Sequence, residues 1–234
     1  RQGRIVFILD EVDLISDKDR HKDILYLISR SPRNHMALLL SNNPKFLSLL
    51  DESTQSTLQP EIIHFGSYTA GEIEGILTER AKVGLEAVPE QTIAEIAAMT
   101  VKNTNSDVRV AIKTLYLSAL EPQVPLREHF EKARRDIMFD VVKDLNDKNL
   151  LILKAITGCP EGLAKGVYEV YQGVSTQFHE EPLSYMAFYS TLSYLQSLGL
   201  VLLLSTKVNR TYTNRIQLTF DPSILLAILQ MRFA

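Results

Sequence analysis

The sequence contains a single cysteine, Cys159, and no long apolar run. One cysteine cannot form an internal disulfide, which fits a reducing cytoplasm. Cys159 lies beside Pro160 with no histidine nearby, which favours a packing or turn role over a catalytic thiol. No apolar segment approaches the roughly 18 residues of a membrane span, so we expect neither a membrane anchor nor a signal peptide.

Metal-ligand patterns and a strong excess of charge are also missing. The five histidines are scattered without the spacing of zinc ligands, which argues against a zinc site. Residues 1–145 carry 18 Lys/Arg against 22 Asp/Glu, and residues 146–234 carry 7 against 6. Any contact with nucleic acid must therefore come from the local placement of charge rather than from bulk attraction.

The sequence also lacks a loop of the form G-x-x-x-x-G-K-[ST], which holds the phosphates of a nucleotide through backbone N–H groups and a lysine. Nothing ahead of the first apolar segment could hold such a loop. What the chain does contain fits the back part of a nucleotide-binding protein, and we expect the phosphate-binding part to lie upstream of Arg1.

The most informative segment is Ile5-Val-Phe-Ile-Leu9 with the Asp10 and Glu11 that follow it. Five consecutive apolar residues predict a strand buried on both faces. Open α/β folds bind ligands at the carboxyl ends of their strands, where this strand delivers two carboxylates. Such a pair suits a magnesium nucleotide, with Asp10 holding a hydrated Mg²⁺ and Glu11 orienting or deprotonating a water. The alternative is a buried strand followed by an acidic helix cap.

Residues 1–67 alternate between strand and helix signals, which predicts a parallel α/β arrangement. After the first strand, the predicted elements are a helix over Asp17 to Ser29, a strand over Ala37 to Leu40, a helical stretch over Phe46 to Leu50 and a strand around Ile62 to Phe65.

Residues 68–145 are predicted to be helical. Thr69-Ala-Gly-Glu72 is a capping box, and Pro89 begins a second helix. A third helix carries apolar residues from Val108 onward at the spacing of an amphipathic face. These helices predict a small bundle, and the charged segment Leu126 to Lys143 predicts a long connecting helix.

Residues 146–234 predict three helices and a two-stranded hairpin. The predicted elements are a helix near Asp147, a short helix around Val167 to Tyr171, a helix from Ser184 to Leu198 that stops at Gly199, a strand over Leu200 to Ser205, a polar hairpin tip from Lys207 to Arg215 and a returning strand over Ile216 to Phe220. This is the layout of a winged helix, which places its third helix in the major groove of DNA.

In this order the segments resemble the archaeal and eukaryotic replication initiators, which are AAA+ ATPases of the origin-recognition and cell-division-control type. Leu9-Asp-Glu-Val-Asp13 is similar to the family's Walker B motif, and Ser41-Asn42 is similar to sensor 1. Ser106-Asp-Val-Arg109 resembles sensor 2, which usually reads Gly-Asp-x-Arg. The resemblance covers essentially the whole chain.

The fold that this resemblance implies has three parts. Residues 1–67 would be the C-terminal part of an α/β AAA+ core with a parallel sheet, cut before Walker B. Residues 68–145 would be an all-α lid bundle with its linker helix. Residues 146–234 would be a winged-helix DNA-binding domain.

The resemblance also implies ATP or ADP and Mg²⁺ as cofactors. It makes Asp10 the Mg²⁺ ligand, Glu11 the catalytic carboxylate, and Asn42 the polar group near the γ-phosphate. Arg109 would reach from the lid to the terminal phosphates, where a cation can sense the γ-phosphate. From the residues alone, Arg109 could instead be a surface residue paired with an acid, and Asn42 a turn residue before Pro44.

The implied partner is duplex DNA at a replication origin, together with other initiator subunits or a replicative helicase, in the cytoplasm or in a eukaryotic nucleus. Lys207, Arg210 and Arg215 suit a minor groove or phosphate backbone, or else only solubilise a turn. Ser184 and Tyr185 lead the third helix, where initiators often carry basic or amide side chains. Tyr185 could contact phosphate or a thymine methyl group, or it could pack against the domain.

One departure bears on activity. Ser53 stands where the family commonly has a trans-acting arginine finger, which can contribute several powers of ten to hydrolysis. We expect the chain alone to be inactive as an ATPase. Two other classes share this order of parts: a non-enzymatic winged-helix regulator or interaction module derived from an AAA+ ATPase, and a signalling NTPase with an AAA-like core.

Overall fold

The computed structural model describes residues 5–15, 22–30, 35–43, 46–85, 88–208 and 211–233. They divide into two compact units, residues 1–64 and residues 65–234. In the part of the chain that is described, no helix is both long and apolar enough to cross a membrane. The division of the chain into three domains stays a prediction.

The first unit is built on two parallel strands. They pair in register from Ile5 opposite His35 to Leu9 opposite Leu39. Parallel strands need a crossover, and the helix between them lies in it. The elements are β1 (Ile5–Leu9), a 3₁₀ turn (Val12–Leu14), α1 (Asp23–Ser29), β2 (His35–Leu39), a second 3₁₀ turn (Phe46–Leu49) and α2 (Glu52–Leu58).

The prediction that β1 is buried on both faces is wrong for this unit. Ile8 of β1 is 66% exposed and Met36 of β2 is 61% exposed. The reason is that the described sheet has two strands, so each strand has one neighbour and little covers its faces. The small core lies beside the carboxyl ends of the strands and consists of Val12, Leu25, Phe46 and Leu50.

The strand predicted around Ile62 to Phe65 is not formed. Residues 59–69 have no regular secondary structure, and Phe65 is 94% exposed. A strand needs a neighbour for its backbone hydrogen bonds, and in the described residues β1 and β2 pair with each other alone. The parallel α/β pattern is therefore confirmed for two of the three predicted strands.

The helices of the second unit begin with the predicted bundle. Thr69 Oγ1 accepts from the Glu72 N–H at 3.3 Å, and the Thr69 N–H donates to Glu72 Oε2 at 2.8 Å, which forms the predicted capping box. The helices are α3 (Ala70–Gly84), α4 (Glu90–Asn103), α5 (Val108–Leu120) and α6 (Leu126–Lys143). Their core includes Ile73, Leu77, Ile96, Ala111 and Leu115, and Phe130 of α6 is buried beside Val110.

The remaining elements surround one further core. They are α7 (Asp147–Thr157), α8 (Ala164–Gln177), α9 (Tyr185–Ser197), β3 (Val201–Val208), β4 (Thr211–Leu218) and α10 (Pro222–Phe233). α8 is longer than the helix predicted around Val167 to Tyr171, and α10 has no predicted counterpart. The core also includes Val142 and Leu145 at the end of α6, so α6 is part of the same packing. Fully buried members include Leu150, Leu153, Tyr171, Phe188 and Leu195.

The hairpin is longer than predicted and its tip is shorter. β3 continues to Val208 and β4 begins at Thr211, so Lys207 and Arg215 lie in strands rather than in a polar tip. The physical reason is that Thr, Val and Tyr around the tip favour extended backbone. Arg210 lies outside the described residues.

Candidate functional site

The carboxyl ends of β1 and β2 are held side by side. The Leu40 N–H donates to the Leu9 carbonyl at 2.9 Å, and the Val12 N–H donates to the Leu40 carbonyl at 3.0 Å. Asp10 follows β1 and Asn42 follows β2, and both are exposed. The structure therefore places Asp10 and Asn42 at the same edge of the two-stranded sheet, and their nucleotide-binding roles stay predictions.

Glu11 adopts a backbone conformation that is uncommon for a side-chain-bearing residue. Its φ and ψ are 51° and 44°, in the left-handed region, and its N–H donates to Asp10 Oδ1 at 2.9 Å. This conformation costs a non-glycine residue roughly 1–2 kcal/mol. Such outliers cluster at ligand sites, where neighbouring contacts maintain them.

Asp13 joins the two strand ends, although the sequence analysis gave it no role. Its Oδ1 accepts from the Ser41 hydroxyl at 2.9 Å and from the Asn42 N–H at 3.2 Å. Ser41 Oγ in turn accepts from the Asn43 N–H at 3.0 Å. This network fixes the backbone of Asn42 next to the Asp10-Glu11 turn. The sequence offered one signal for Asp13, which is that the run from Leu9 to Asp13 contains a second aspartate besides Asp10.

The donor chemistry of this edge fits a metal ion bound jointly with phosphate. Mg²⁺ in nucleotide sites takes one or two protein carboxylates and completes its shell with phosphate oxygens and water. Asp10 offers an exposed carboxylate of this kind. The described residues contain no group of three or more His, Cys, Asp or Glu side chains that could hold a metal by themselves.

Ser53 lies in the first turn of α2, which Asp51 caps. Asp51 Oδ1 accepts from the Ser53 and Thr54 N–H groups at 3.0 Å each. Arg30 Nη2 lies 3.5 Å from Ser53 Oγ, and the Arg30 guanidinium lies 4.7 Å from the centre of the Tyr26 ring. A guanidinium that the sequence analysis missed is therefore adjacent to Ser53.

Arg109 lies in the second unit, at the start of α5. Asp107 caps this helix by accepting the Arg109 N–H at 3.0 Å, and its carboxylate also accepts from Arg109 Nε at 3.0 Å and Nη2 at 2.7 Å. These side-chain hydrogen bonds raise the pKa of Arg109. Arg109 is paired with an acid, as one of the two sequence interpretations expected, and its side chain remains 63% exposed. Its lid role stays a prediction.

The backbone before Asp107 explains why the sensor 2 motif usually has glycine at the position of Ser106. Ser106 has φ 64° and Asn105 has φ 52°, so the turn before α5 lies in the left-handed region. Glycine adopts this region without steric cost, whereas serine does not. The resemblance implies glycine at the position of Ser106, and the backbone here gives the reason.

A cavity of about 680 Å³ adjoins Arg109 inside the second unit. Its lining mixes opposite charges, with Arg134 and Arg135 of α6 near Glu131 and Asp221. Arg134 Nε lies 3.7 Å from Glu131 Oε2, and a hydrogen bond from the Ser223 backbone lowers the pKa of Asp221. The charges compensate one another, so the cavity does not select an anion.

Two of the predicted DNA-binding cations, Lys207 and Arg215, lie on opposite faces of the hairpin. Lys207 is paired with Tyr212, and Arg215 is paired with Leu204. Because successive residues of a strand point to opposite faces, Lys207 shares a face with Asn214 and Arg215 does not. The hairpin therefore does not bring Lys207 and Arg215 together.

Two polar side chains connect α9 with the hairpin. Asn214 Nδ2 donates a hydrogen bond to the Tyr189 hydroxyl. Tyr185 lies one turn before Tyr189, with 6.2 Å between ring centres, and it contacts Tyr168 edge to face at 5.1 Å. Ser184 caps α9 by accepting the Ala187 N–H at 3.3 Å. Tyr185 is thus packed on one side and 44% exposed on the other.

The segment that forms α9 and the hairpin has no negative charge. Residues 182–220 contain no Asp or Glu, although the whole chain has 28 of them. The cations of this segment are Lys207, Arg210 and Arg215. This acid-free stretch includes Tyr189, Tyr212 and Asn214, for which the sequence analysis predicted no role.

Comparison with known proteins finds relatives that share one name. No protein-family model matches the chain. The ORC1-type DNA replication protein 1 of Archaeoglobus fulgidus is 30% identical over 220 residues, which cover 86% of this chain and 53% of that protein. The ORC1-type DNA replication protein 3 of Saccharolobus solfataricus is 26% identical over 210 residues, covering 86% and 52%. The chain is a homologue of the ORC1-type DNA replication proteins. It spans about half the length of the curated ORC1-type relatives it matches.

A solved ORC1 structure shares the fold. The Aeropyrum pernix ORC1 protein in complex with DNA matches with a TM-score of 0.69 and 22% identity, covering 99% of this chain and 65% of that one. The predicted fold class, an α/β AAA+ core with a parallel sheet followed by helices, is confirmed, and the winged-helix assignment of residues 146–234 stays a prediction.

Proposed function

We propose that this chain is part of a DNA replication initiator that binds origin duplex DNA through residues 146–234 under the control of an ATP/ADP switch. The observation that carries the proposal is the sequence relationship to ORC1-type DNA replication proteins over 86% of the chain. The A. pernix relative of the same fold was solved with DNA, which supports DNA as the partner. Other initiator subunits or a replicative helicase are the further partners we propose.

The edge of the first unit would hold the nucleotide. Asp10 would bind Mg²⁺, which would neutralise phosphate charge. Glu11 would orient a water or take its proton, and Asn42 would lie near the terminal phosphate because Asp13 holds its backbone at this edge. Arg109 would exchange the Asp107 carboxylate for phosphate oxygens, since its guanidinium is engaged in two side-chain hydrogen bonds.

Hydrolysis in a neighbouring subunit would need a cation near Ser53. Arg30 is a cation that this chain offers there, 3.5 Å from Ser53 Oγ. The presence of Arg30 supports a reduced, rather than an abolished, contribution of this chain to ATP hydrolysis in a neighbouring subunit.

DNA binding is tested directly with the whole chain. Fluorescence anisotropy with labelled duplex DNA at low salt should show binding that weakens as salt rises, because lysine and arginine contacts release counterions. Calorimetry should detect no useful affinity for Mg-ATP, since the chain has no phosphate-binding loop. A low-micromolar ATP site on this chain would contradict the second expectation, and absence of DNA binding at low salt would contradict the first.

A second candidate is a non-enzymatic interaction module derived from such an ATPase. The observation that favours it is α9, which has no charged residue and exposes Tyr185 and Met186, the latter by 81%. Tyrosine and methionine are enriched at protein interfaces. A chain that binds no duplex DNA would favour this candidate over the initiator.

A further inference from the structure

We propose that α9 and one face of the hairpin form a single DNA-contact surface, here called the tyrosine surface, made of Tyr189, Tyr212, Asn214 and Lys207. Arg215 is outside it. The inference rests on the proposed DNA-binding function and assigns the residues that carry it. It also predicts that aromatic and amide contacts add to the affinity that a cation supplies.

The first step is the packing that brings α9 to this face of the hairpin. Val201 and Ile216 are 1% and 2% exposed and share one core with Leu192 and Leu195 of α9. Asn214 is two residues before Ile216 on β4, so it lies on the same face of the strand. The side of the hairpin that carries Asn214 is therefore the side that packs on α9.

The second step is the polar link at the border of this core. Asn214 Nδ2 donates to the Tyr189 hydroxyl, which connects the helix and the hairpin by a side-chain hydrogen bond. A primary amide has two N–H donors and an acceptor oxygen, so this contact occupies one of several groups. Asparagine can read an adenine edge with a donor and an acceptor. The link fixes the amide beside the exposed part of α9.

The third step is the exposed end of the same face. Tyr212 is 75% exposed, and Lys207 Nζ lies 5.7 Å from the centre of its ring. A tyrosine ring can contact sugars, bases and thymine methyl groups, while the ammonium group can neutralise one phosphate. From the core to the tip, the tyrosine surface thus carries Asn214 beside Tyr189, and then Tyr212 beside Lys207.

The charge of this segment also favours contact with DNA. No Asp or Glu occurs in residues 182–220, so no carboxylate of this segment repels phosphate although the chain as a whole carries a net charge of −3. Arg215 lies on the opposite face, which it shares with Thr213, Gln217 and two leucines, Leu202 and Leu204, exposed by 48% and 45%. In the described part of the hairpin, each face has one cation. Of these two cations, Lys207 lies on the face that carries Tyr212 and Asn214.

The test separates the two cations. In anisotropy titrations of the whole chain with duplex DNA at several salt concentrations, Lys207→Ala should flatten the slope of log K against log salt by about 0.9. Arg215→Ala removes the same charge from the same hairpin and should leave both slope and affinity unchanged. An equal loss of slope in both variants would overturn the assignment of one face.

The amide and the tyrosine are tested in the same titrations. Tyr189→Phe keeps the ring and removes the hydroxyl, and Asn214→Ala removes the amide, so each should weaken DNA binding about fivefold while the salt slope stays unchanged. The double variant should lose little more than either single one, because the two share a hydrogen bond. Circular dichroism should show that all variants retain the parent's helical signal.

The outcomes distinguish the inference from the function it rests on. A parent chain that binds no duplex DNA would overturn the proposed function. A parent that binds DNA while Tyr189→Phe and Asn214→Ala bind as tightly as the parent would overturn only the tyrosine surface. A changed salt slope in either neutral substitution would also overturn it, since neither removes a phosphate contact.

Discussion

The two units of this chain differ in how completely their own residues bury their apolar side chains. In the second unit, three separate cores enclose side chains that are almost fully buried, such as Leu153 and Phe188. In the first unit, strand residues such as Ile8 and Met36 remain more than half exposed. A helix makes its backbone hydrogen bonds internally, whereas a strand of a parallel sheet takes them from neighbouring strands and is buried only where other elements cover its faces.

The largest expected effect on stability comes from truncating one apolar side chain in each unit. Leu153→Ala removes a side chain of α7 that is 0% exposed and should lower the free energy of unfolding by about 2–5 kcal/mol. Ile8→Ala removes a similar side chain from β1, which is 66% exposed, and should cost less than about 1 kcal/mol. Urea unfolding followed by circular dichroism measures both. Equal losses would mean that the strand of the first unit is as buried in solution as the core of the second.

The second unit should also be held together by Arg232 of α10. Its Nη1 donates to the Leu145 carbonyl and, at 3.4 Å, to the Lys143 carbonyl, while its Nε lies 3.1 Å from Asp147 Oδ1. These contacts satisfy carbonyls at the end of α6, which have no partner inside the helix. Arg232→Ala should therefore destabilise the unit by about 1–2 kcal/mol.

Arg232→Lys is the matched control for this contact. Lysine keeps the charge near Asp147 but lacks the planar fork that reaches two groups at once, so its stability should lie between the parent and the alanine variant. Stability of Arg232→Ala equal to that of the parent would show that α10 is held by its apolar contacts alone.

Local signals predicted α3, α6 and α9, whereas α2 and α10 were not predicted and α8 is longer than predicted. The capping box at Thr69, the bounds of α6 and the start of α9 next to Ser184 depend on residues within a few positions of one another, and each is present. The third strand at Ile62 to Phe65 failed because an apolar run cannot supply its own strand neighbour. The short hairpin tip was missed because strand pairing between Lys207 and Tyr212 extended both strands.

The candidate site divides in the same way. Asp10 and Glu11 are adjacent in sequence, so their placement after a strand could be predicted. Asp13 accepts a hydrogen bond from Ser41, 28 positions away, and Asn214 contacts Tyr189 across 25 positions. Such contacts depend on how elements pack, which no local pattern in a single sequence reveals.

A smaller effect concerns left-handed residues that lie near a proposed nucleotide-binding group, one chosen from each unit. Ser106 has φ 64° in the second unit and Glu11 has φ 51° in the first. Ser106→Gly should stabilise the chain by about 0.5–1 kcal/mol, because glycine adopts this backbone without the steric cost. Ser106→Ala keeps the steric cost and removes only the hydroxyl, so it should not stabilise. A glycine variant no more stable than the alanine variant would show that the turn is not strained.

The smallest effect should come from the capping box of α3, which is built entirely from neighbouring residues of the second unit. The Glu72 carboxylate accepts from the Thr69 N–H at 2.8 Å and from the Thr69 hydroxyl at 2.9 Å. These hydrogen bonds, the backbone one first, lower the pKa of Glu72 below its ordinary value of 4.5. Because the folded-state pKa lies below the unfolded one, the stabilisation is complete above pH 4.5 and is lost as pH falls through the folded value.

Glu72→Gln should thus be slightly less stable than the parent at pH 7, and the difference should shrink in acid. Urea unfolding of both chains at pH 7, 4 and 3 measures it, with Glu95→Gln, an exposed glutamate of α4, as the control for loss of charge. A difference that stays constant with pH, or that is matched by Glu95→Gln, would show that the ionised capping box contributes nothing specific to α3.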